Sequence, residues 1–255
     1  MRGLVFLLCL AWGAAAAEAV PVVFQDSIAQ RTLACSACHG KEGRAGPDGY
    51  YPRIAGKPAG YLYNQLLHFR EGRRHYGLMA GLLDTLSDAY LWEIAQHFAS
   101  LEVPYPPPQP AAVPPELLAR GNTIAHQGDA DRRVPACAAC HGKALTGVLP
   151  NVPGLLGLPR DYLNAQLGAW RTGQRRAVAP DCMAEIARRL SPEDLSAVTA
   201  FLSSEALPAH PHPVSLEPPA TPAKRRGRRA PPPPTPEPPP MRCGFAQPPL
   251  AGAAR

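Results

Sequence analysis

Cys35-Ser36-Ala37-Cys38-His39 recurs as Cys137-Ala138-Ala139-Cys140-His141. C-x-x-C-H is the attachment signature of a c-type haem. Each cysteine can add to a porphyrin vinyl group as a thioether, and the adjacent histidine is then held against the iron as its proximal ligand. The expected cofactors are therefore two covalently bound haem c groups, one on Cys35 and Cys38, the other on Cys137 and Cys140. A structural zinc site made from the four motif cysteines is the main rival. It would not require a histidine directly after each pair, whereas haem accounts for both His39 and His141.

The sequence around the two motifs repeats as well. Tyr61–Arg74 and Tyr162–Arg175 carry the same residue at seven of fourteen places, at an offset of 101. Leu62, Leu66 and Phe69 form one apolar helical stripe, and Leu163, Leu167 and Trp170 remake it. Gly72 marks the first helix end. A further helix is expected from Ser87 to Ser100, with Ser87 as N-cap and Leu91, Ile94 and Phe98 on one face. Its counterpart has Ser191 as cap, Pro192 at the first helical position and Leu195, Val198 and Leu202 on its face. Upstream, Asp26 or Ser27 caps a short helix. The Gly- and Pro-rich loop from Gly40 to Gly56 has the chemistry of a chain wrapping round a haem edge. This is duplication of one haem-sized unit, too small to build a large aliphatic core, so the covalent haem supplies apolar mass.

The second axial ligand decides the chemistry. Between residues 20 and 207 the only methionines are Met79 and Met183, each seven residues before a Leu-Ser that opens a last helix. They are the expected axial partners of His39 and His141, since a thioether opposite histidine raises the reduction potential. A six-coordinate iron has no open position for substrate, so electron transfer is expected and no catalytic residue. His68, His75 and His97 have no counterpart in the second half and are read as surface or supporting residues. Cys182, beside Met183, is an alternative thiolate ligand or reactive thiol. Pro52 and Pro153 also correspond, and a carbonyl in that loop can accept the hydrogen bond from the proximal histidine's other nitrogen.

The ends have different compositions. Residues 1–19 have the pattern of a cleaved secretory signal, with Arg2, an apolar run from Leu4 to Trp12, and Ala17-Glu18-Ala19. An uncleaved anchor is the alternative, but the run is shorter than the ~20 residues that span a bilayer. The domains are expected at 20–102 and 116–207, joined by a Pro-rich linker at 103–115. Sixteen of the 33 prolines fall in 208–255, beside Lys224-Arg225-Arg226-Gly227-Arg228-Arg229. That tail is expected to be disordered. It carries +5 of the net +6, leaving residues 20–207 at +1. This argues against a basic nucleic-acid surface on the body, while the tail can dock an acidic partner or an anionic membrane, or be dispensable. Cys182 and Cys243 could pair in an oxidising compartment, but Cys243 lies in the expected disordered tail.

Together, the tandem C-x-x-C-H-G units, the Y-L-x-x-Q-L-x-x-[FW]-R-x-G-x-R helix, the methionine and the Leu-Ser helix resemble dihaem cytochromes of the cytochrome c4 type, over about residues 24–204. The resemblance implies an all-α fold of two tandem class I cytochrome c domains, related by a pseudo-twofold axis, with haem propionates near the interface. It also implies a periplasmic electron carrier working between a dehydrogenase or quinol-oxidising complex and a terminal oxidase or other acceptor. Related tandem cytochromes serve as electron-accepting subunits of sulfide- or alcohol-oxidising complexes, and some relatives oxidise thiosulfate themselves. The Pro/Arg tail and Cys182 depart from the family pattern.

Overall fold

The computed structural model describes residues 25–46, 49–215 and 241–249. The candidate signal at 1–19 and residues 216–240, including the basic run, lie outside the described residues.

In the first half, α1 (Ile28–Arg31) is capped by Ser27, whose side chain accepts from the Gln30 amide. It leads through Thr32 into α2 (Leu33–His39). Then come α3 (Ala59–Arg70), α4 (Gly77–Leu83) and α5 (Asp88–Ala99), the last capped by Ser87 as expected. The second half has α6 (Pro115–His126), α7 (Cys137–His141), α8 (Arg160–Thr172), α9 (Cys182–Arg189) and α10 (Pro192–Ser204). α3 and α8 correspond, as do α4 and α9, and α5 and α10. The helices that carry the two methionines, and α6, were not anticipated from periodicity. A two-residue antiparallel ribbon, β1 (Gly147–Val148) and β2 (Val152–Pro153), has no named counterpart in the first half.

Each half has its own core. Leu62, Tyr63, Leu67, Phe69, Leu91, Ile94 and Phe98 fill the first; Ile124, Leu145, Leu163, Val198, Phe201 and Leu202 are prominent in the second. Leu91 and Ile124 are wholly buried, each contributing roughly 2 kcal/mol. α6 crosses α10 so closely that a Cβ on Gly121 would overlap the Ala197 carbonyl, so only glycine permits that approach.

The tail departs from the expectation of uniform disorder at two places. Val214 pairs with the ribbon, donating to Gly147 O and accepting from the Leu149 amide. Residues 241–249 are held by a disulfide between Cys182 and Cys243. There Gly244 donates to Pro180 O, and Ala246 exchanges hydrogen bonds with the buried Asn64 of α3. Proline-rich composition shows that a segment cannot build its own core. It does not show whether the segment is fastened to another one. The linker is likewise held: Gln109 donates to Ser203 O, and its side chain caps the amide of Arg160. Among the described residues no helix is long and apolar enough to cross a membrane.

Candidate haem-binding sites

α2 and α7 present the motif residues alike. Cysteines three apart share one helix face, with the histidine closing the helix. Gly40 and Gly142 follow at φ 74° and 83°, a turn that L side chains resist. At Gly40 a Cβ would also overlap the Ala45 carbonyl.

Both histidines are buried, and each Nδ1 is committed to one proline carbonyl. His39 Nδ1 donates to Pro52 O at 2.8 Å and His141 Nδ1 to Pro153 O at 2.7 Å. This contact was expected from the Pro52/Pro153 match. It fixes the tautomer with the proton on Nδ1 and leaves Nε2 with a free lone pair. Burial pushes both histidine pKa values down; the proline carbonyls oppose that shift, and Arg74 near His39 and Lys57 near His141 add to it. Both imidazoles are therefore neutral near pH 7, the form that binds iron.

Cys35, Cys38, Cys137 and Cys140 are unpaired thiols, half-buried. Burial raises the pKa of Cys35 and Cys140, and pushes Cys137 up to about 11. Among the described residues no three His, Cys, Asp or Glu side chains converge as a metal-binding group. The zinc rival, which needs such convergence, has no support. Buried histidines with free Nε2, beside unpaired thiols on one helix face, fit a covalently attached haem.

Met79 and Met183 lie in the first turns of α4 and α9, both half-buried. The ends of their loops are tied alike: Arg70 donates to Leu86 O at 2.6 Å and Arg171 to Leu190 O at 3.3 Å. His75 is exposed and His97 half-buried. His68 is buried instead of on the surface, with Nε2 lacking a partner among the described residues. Cys182 is consumed by its bond to Cys243, so its reading as a thiolate ligand or reactive thiol is withdrawn.

The halves meet through the repeated Arg74 and Arg175, whose backbones bridge antiparallel. His75 donates to Gln174 O and Arg176 to Arg73 O. Arg74 reaches Gln65 and Gln166, and Arg175 reaches the same two glutamines at 2.8 Å each. Tyr162 and Tyr61 accept one further bond from Arg74 and Arg175 respectively, at 3.4 Å. Phe69 and Trp170 lie under the two guanidiniums. The arginines Arg74 and Arg175, the two glutamines and the two tyrosines are identities of the repeat, yet their meeting across a twofold was not read from sequence. Neither arginine has a carboxylate partner among the described residues, and burial lowers the pKa of Arg175. A buried Arg175 and a half-buried Arg74 without acids suit a group that brings its own carboxylates, as haem does in its propionates.

A cytochrome c family model matches residues 118–206. The chain is 36% identical to the thiosulfate dehydrogenase electron acceptor of Thiomonas intermedia, over 68% of this chain and 79% of that protein. It is 32% identical to cytochrome c4 of Pseudomonas aeruginosa, over 68% and 84%. The chain belongs to the dihaem cytochrome c4-type family. Among solved structures, reduced cytochrome c4 from Pseudomonas stutzeri superposes with a TM-score of 0.60 at 30% identity, covering 69% of this chain and 96% of that one. The thiosulfate dehydrogenase TsdBA of Marichromatium purpuratum gives 0.61 at 30%, over 68% of this chain and 36% of that chain. This cytochrome thus has the tandem class I fold and carries covalent haem c for electron transport.

Proposed function

We propose that this cytochrome carries two haems and accepts electrons from a thiosulfate-oxidising dehydrogenase in the periplasm. The observation that carries the partner assignment is the similarity to two proteins named as thiosulfate dehydrogenase electron acceptors. The second, from Stutzerimonas stutzeri, is 36% identical over 77% of this chain and 90% of its own length. A periplasmic setting is supported by the signal-like residues 1–19 and by the Cys182–Cys243 disulfide, which requires an oxidising compartment.

In this reading Cys35 and Cys38 hold one haem and Cys137 and Cys140 the other, with His39 and Met79, and His141 and Met183, as axial ligands. Bound haem supplies a one-electron couple. The chain's part is to hold each histidine on its proline carbonyl, exclude water from the buried rings and offer a soft sulfur ligand. With both axial positions filled no substrate binds at iron, so the dehydrogenase performs the oxidation and this protein the transfer. A general carrier role between a quinol-oxidising complex and a terminal oxidase is the second reading, favoured by the near-complete coverage of cytochrome c4.

Mass spectrometry of the mature holoprotein, with spectra of Met79→Ala and Met183→Ala, tests the sites. Two haems are expected, and each variant should lose half of the methionine-to-iron charge-transfer absorbance. Stopped-flow mixing with a thiosulfate dehydrogenase and thiosulfate tests the partner. Fast reduction is expected; reduction only by a quinol-oxidising complex would overturn the assignment in favour of the second reading.

A further inference from the structure

We propose that Lys57, reaching across from the first half, is a positioning residue that raises the reduction potential of the haem held by His141. The inference rests on the two-haem reading. Gly56-Lys57-Pro58 and Gly157-Leu158-Pro159 occupy equivalent places, since Pro58 and Pro159 precede α3 and α8 as their N-caps. The side chains between them differ completely. Leu158 packs into the second core. Lys57 is buried at the interface, and its Nζ donates to Gly154 O of the other half at 3.3 Å.

That carbonyl belongs to the residue after Pro153, whose own carbonyl orients His141 at 2.7 Å. The ammonium therefore sits against the loop that holds the proximal ligand. Among the described residues it also faces the Tyr105 ring, 5.9 Å away, which Arg53 covers at 3.8 Å, so that the like charge of Arg53 reaches it, and no carboxylate pairs with it. A cation left unpaired in a poorly polarisable interior keeps a long-range field. Only the Gly154 and Pro153 carbonyls stand between it and the His141 ring. The same field disfavours ferric iron, which carries one more positive charge than ferrous iron, and weakens donation from the imidazole.

The first half lacks this arrangement. Arg53 stands where the second half has Gly154, but its guanidinium is engaged by the carbonyls of Ala55, Val103 and Pro104 and lies over Tyr105. The second half's proximal loop thus receives a lysine from across the interface, and the first half's loop keeps its cation bound to backbone carbonyls of its own half and the linker.

Potentiometric titration of Lys57→Met holoprotein tests this, with the two haems distinguished by NMR signals assigned through Met79→Ala and Met183→Ala. The midpoint of the His141 haem should fall while that of the His39 haem stays. Lys57→Arg should stay near wild type, and the charge-transfer band should be unchanged in both. Unchanged midpoints, or equal shifts at both haems, would overturn the proposal. A second measurement uses the wild-type chain, whose lysines are Lys41, Lys57, Lys143 and Lys224. After 15N-lysine labelling, one slowly exchanging ammonium signal should move when the His141 haem is reduced. Its absence, or a response to the His39 haem alone, defeats the idea whether or not the variant folds. The mass of the same samples reports haem number, so a fault in the two-haem reading shows there and not in the midpoints.

Discussion

The two methionine-bearing helices occupy one place in the repeat and are secured in different ways. In the first half, α4 contains Gly77 and Gly81, and Leu78 and Leu82 on either side of Met79 are exposed. In the second, α9 has Asp181 as N-cap and Arg189 tied to Glu185 and to Arg133 O. The residue before Met183, at the place of Leu78, is Cys182, bonded to Cys243. The strap that this bond anchors continues to Asn64 in the first half. The repeat supplies the methionine twice, and a tail outside the repeat fastens one copy.

Opening the strap is the most severe way to break this asymmetry. The Cys182–Cys243 bond closes a loop with a sequence separation of 61, worth about 4 kcal/mol in the chain-entropy account. Cys243→Ser should lose about that much in denaturant unfolding. Its Met183 charge-transfer band should fade at lower denaturant than in wild type, with the Met79 band less affected. If both bands fade together, the strap secures the whole molecule and not one ligand loop.

A second difference lies at position 68, where the first half has buried His68 and the second has Ala169. Burial, then the charges of Arg73, Arg175 and Arg74, push the His68 pKa down to about 4. The folded state therefore binds this proton less readily than the unfolded chain, whose histidine titrates near 6.5. Stability from the neutral ring is complete above pH 6.5 and is lost as pH falls towards 4. Between pH 7 and pH 5 the loss is about 2 kcal/mol. His68→Gln should lose correspondingly less over that interval in unfolding titrations. Equal slopes for variant and wild type would show that His68 is not the group responsible.

What the sequence revealed, and what it hid, follows the same division. The motifs, the paired methionines, the α3 and α8 stripes and the proline acceptors were legible because each is local or repeated at fixed spacing. Lys57 was not, because its partner Gly154 lies in the other half and the repeat places Leu158 opposite it. The strap was legible in part. Cys182 and Cys243, the cysteines left over from the motifs, allow a bond in an oxidising compartment, but the disordered-looking composition around Cys243 argued against it. Nothing local to 241–249 signals that Ala246 meets Asn64. The interface network falls between these cases. Tyr61, Gln65 and Arg74 were visible as repeated residues, but only the twofold docking shows that Arg74 and Arg175 share their glutamines.

The smallest expected effect concerns a feature that both halves keep. Ser87 accepts from the Tyr90 amide at 3.3 Å and Ser191 from the Asp194 amide at 3.0 Å. Replacing either serine with alanine removes the acceptor for one free helix-end amide, at about 1 kcal/mol. The two losses should not be equal. Tyr90 is half-buried, so water can partly take over from Ser87. Asp194 is buried and held by Arg120 and Arg132, so its amide has less access to a substitute. Ser191→Ala should therefore cost more than Ser87→Ala in the same unfolding assay. The reverse order would mean that the ion pairs around Asp194 hold the start of α10 without its cap, and that the second half is reinforced there as well as at its strap.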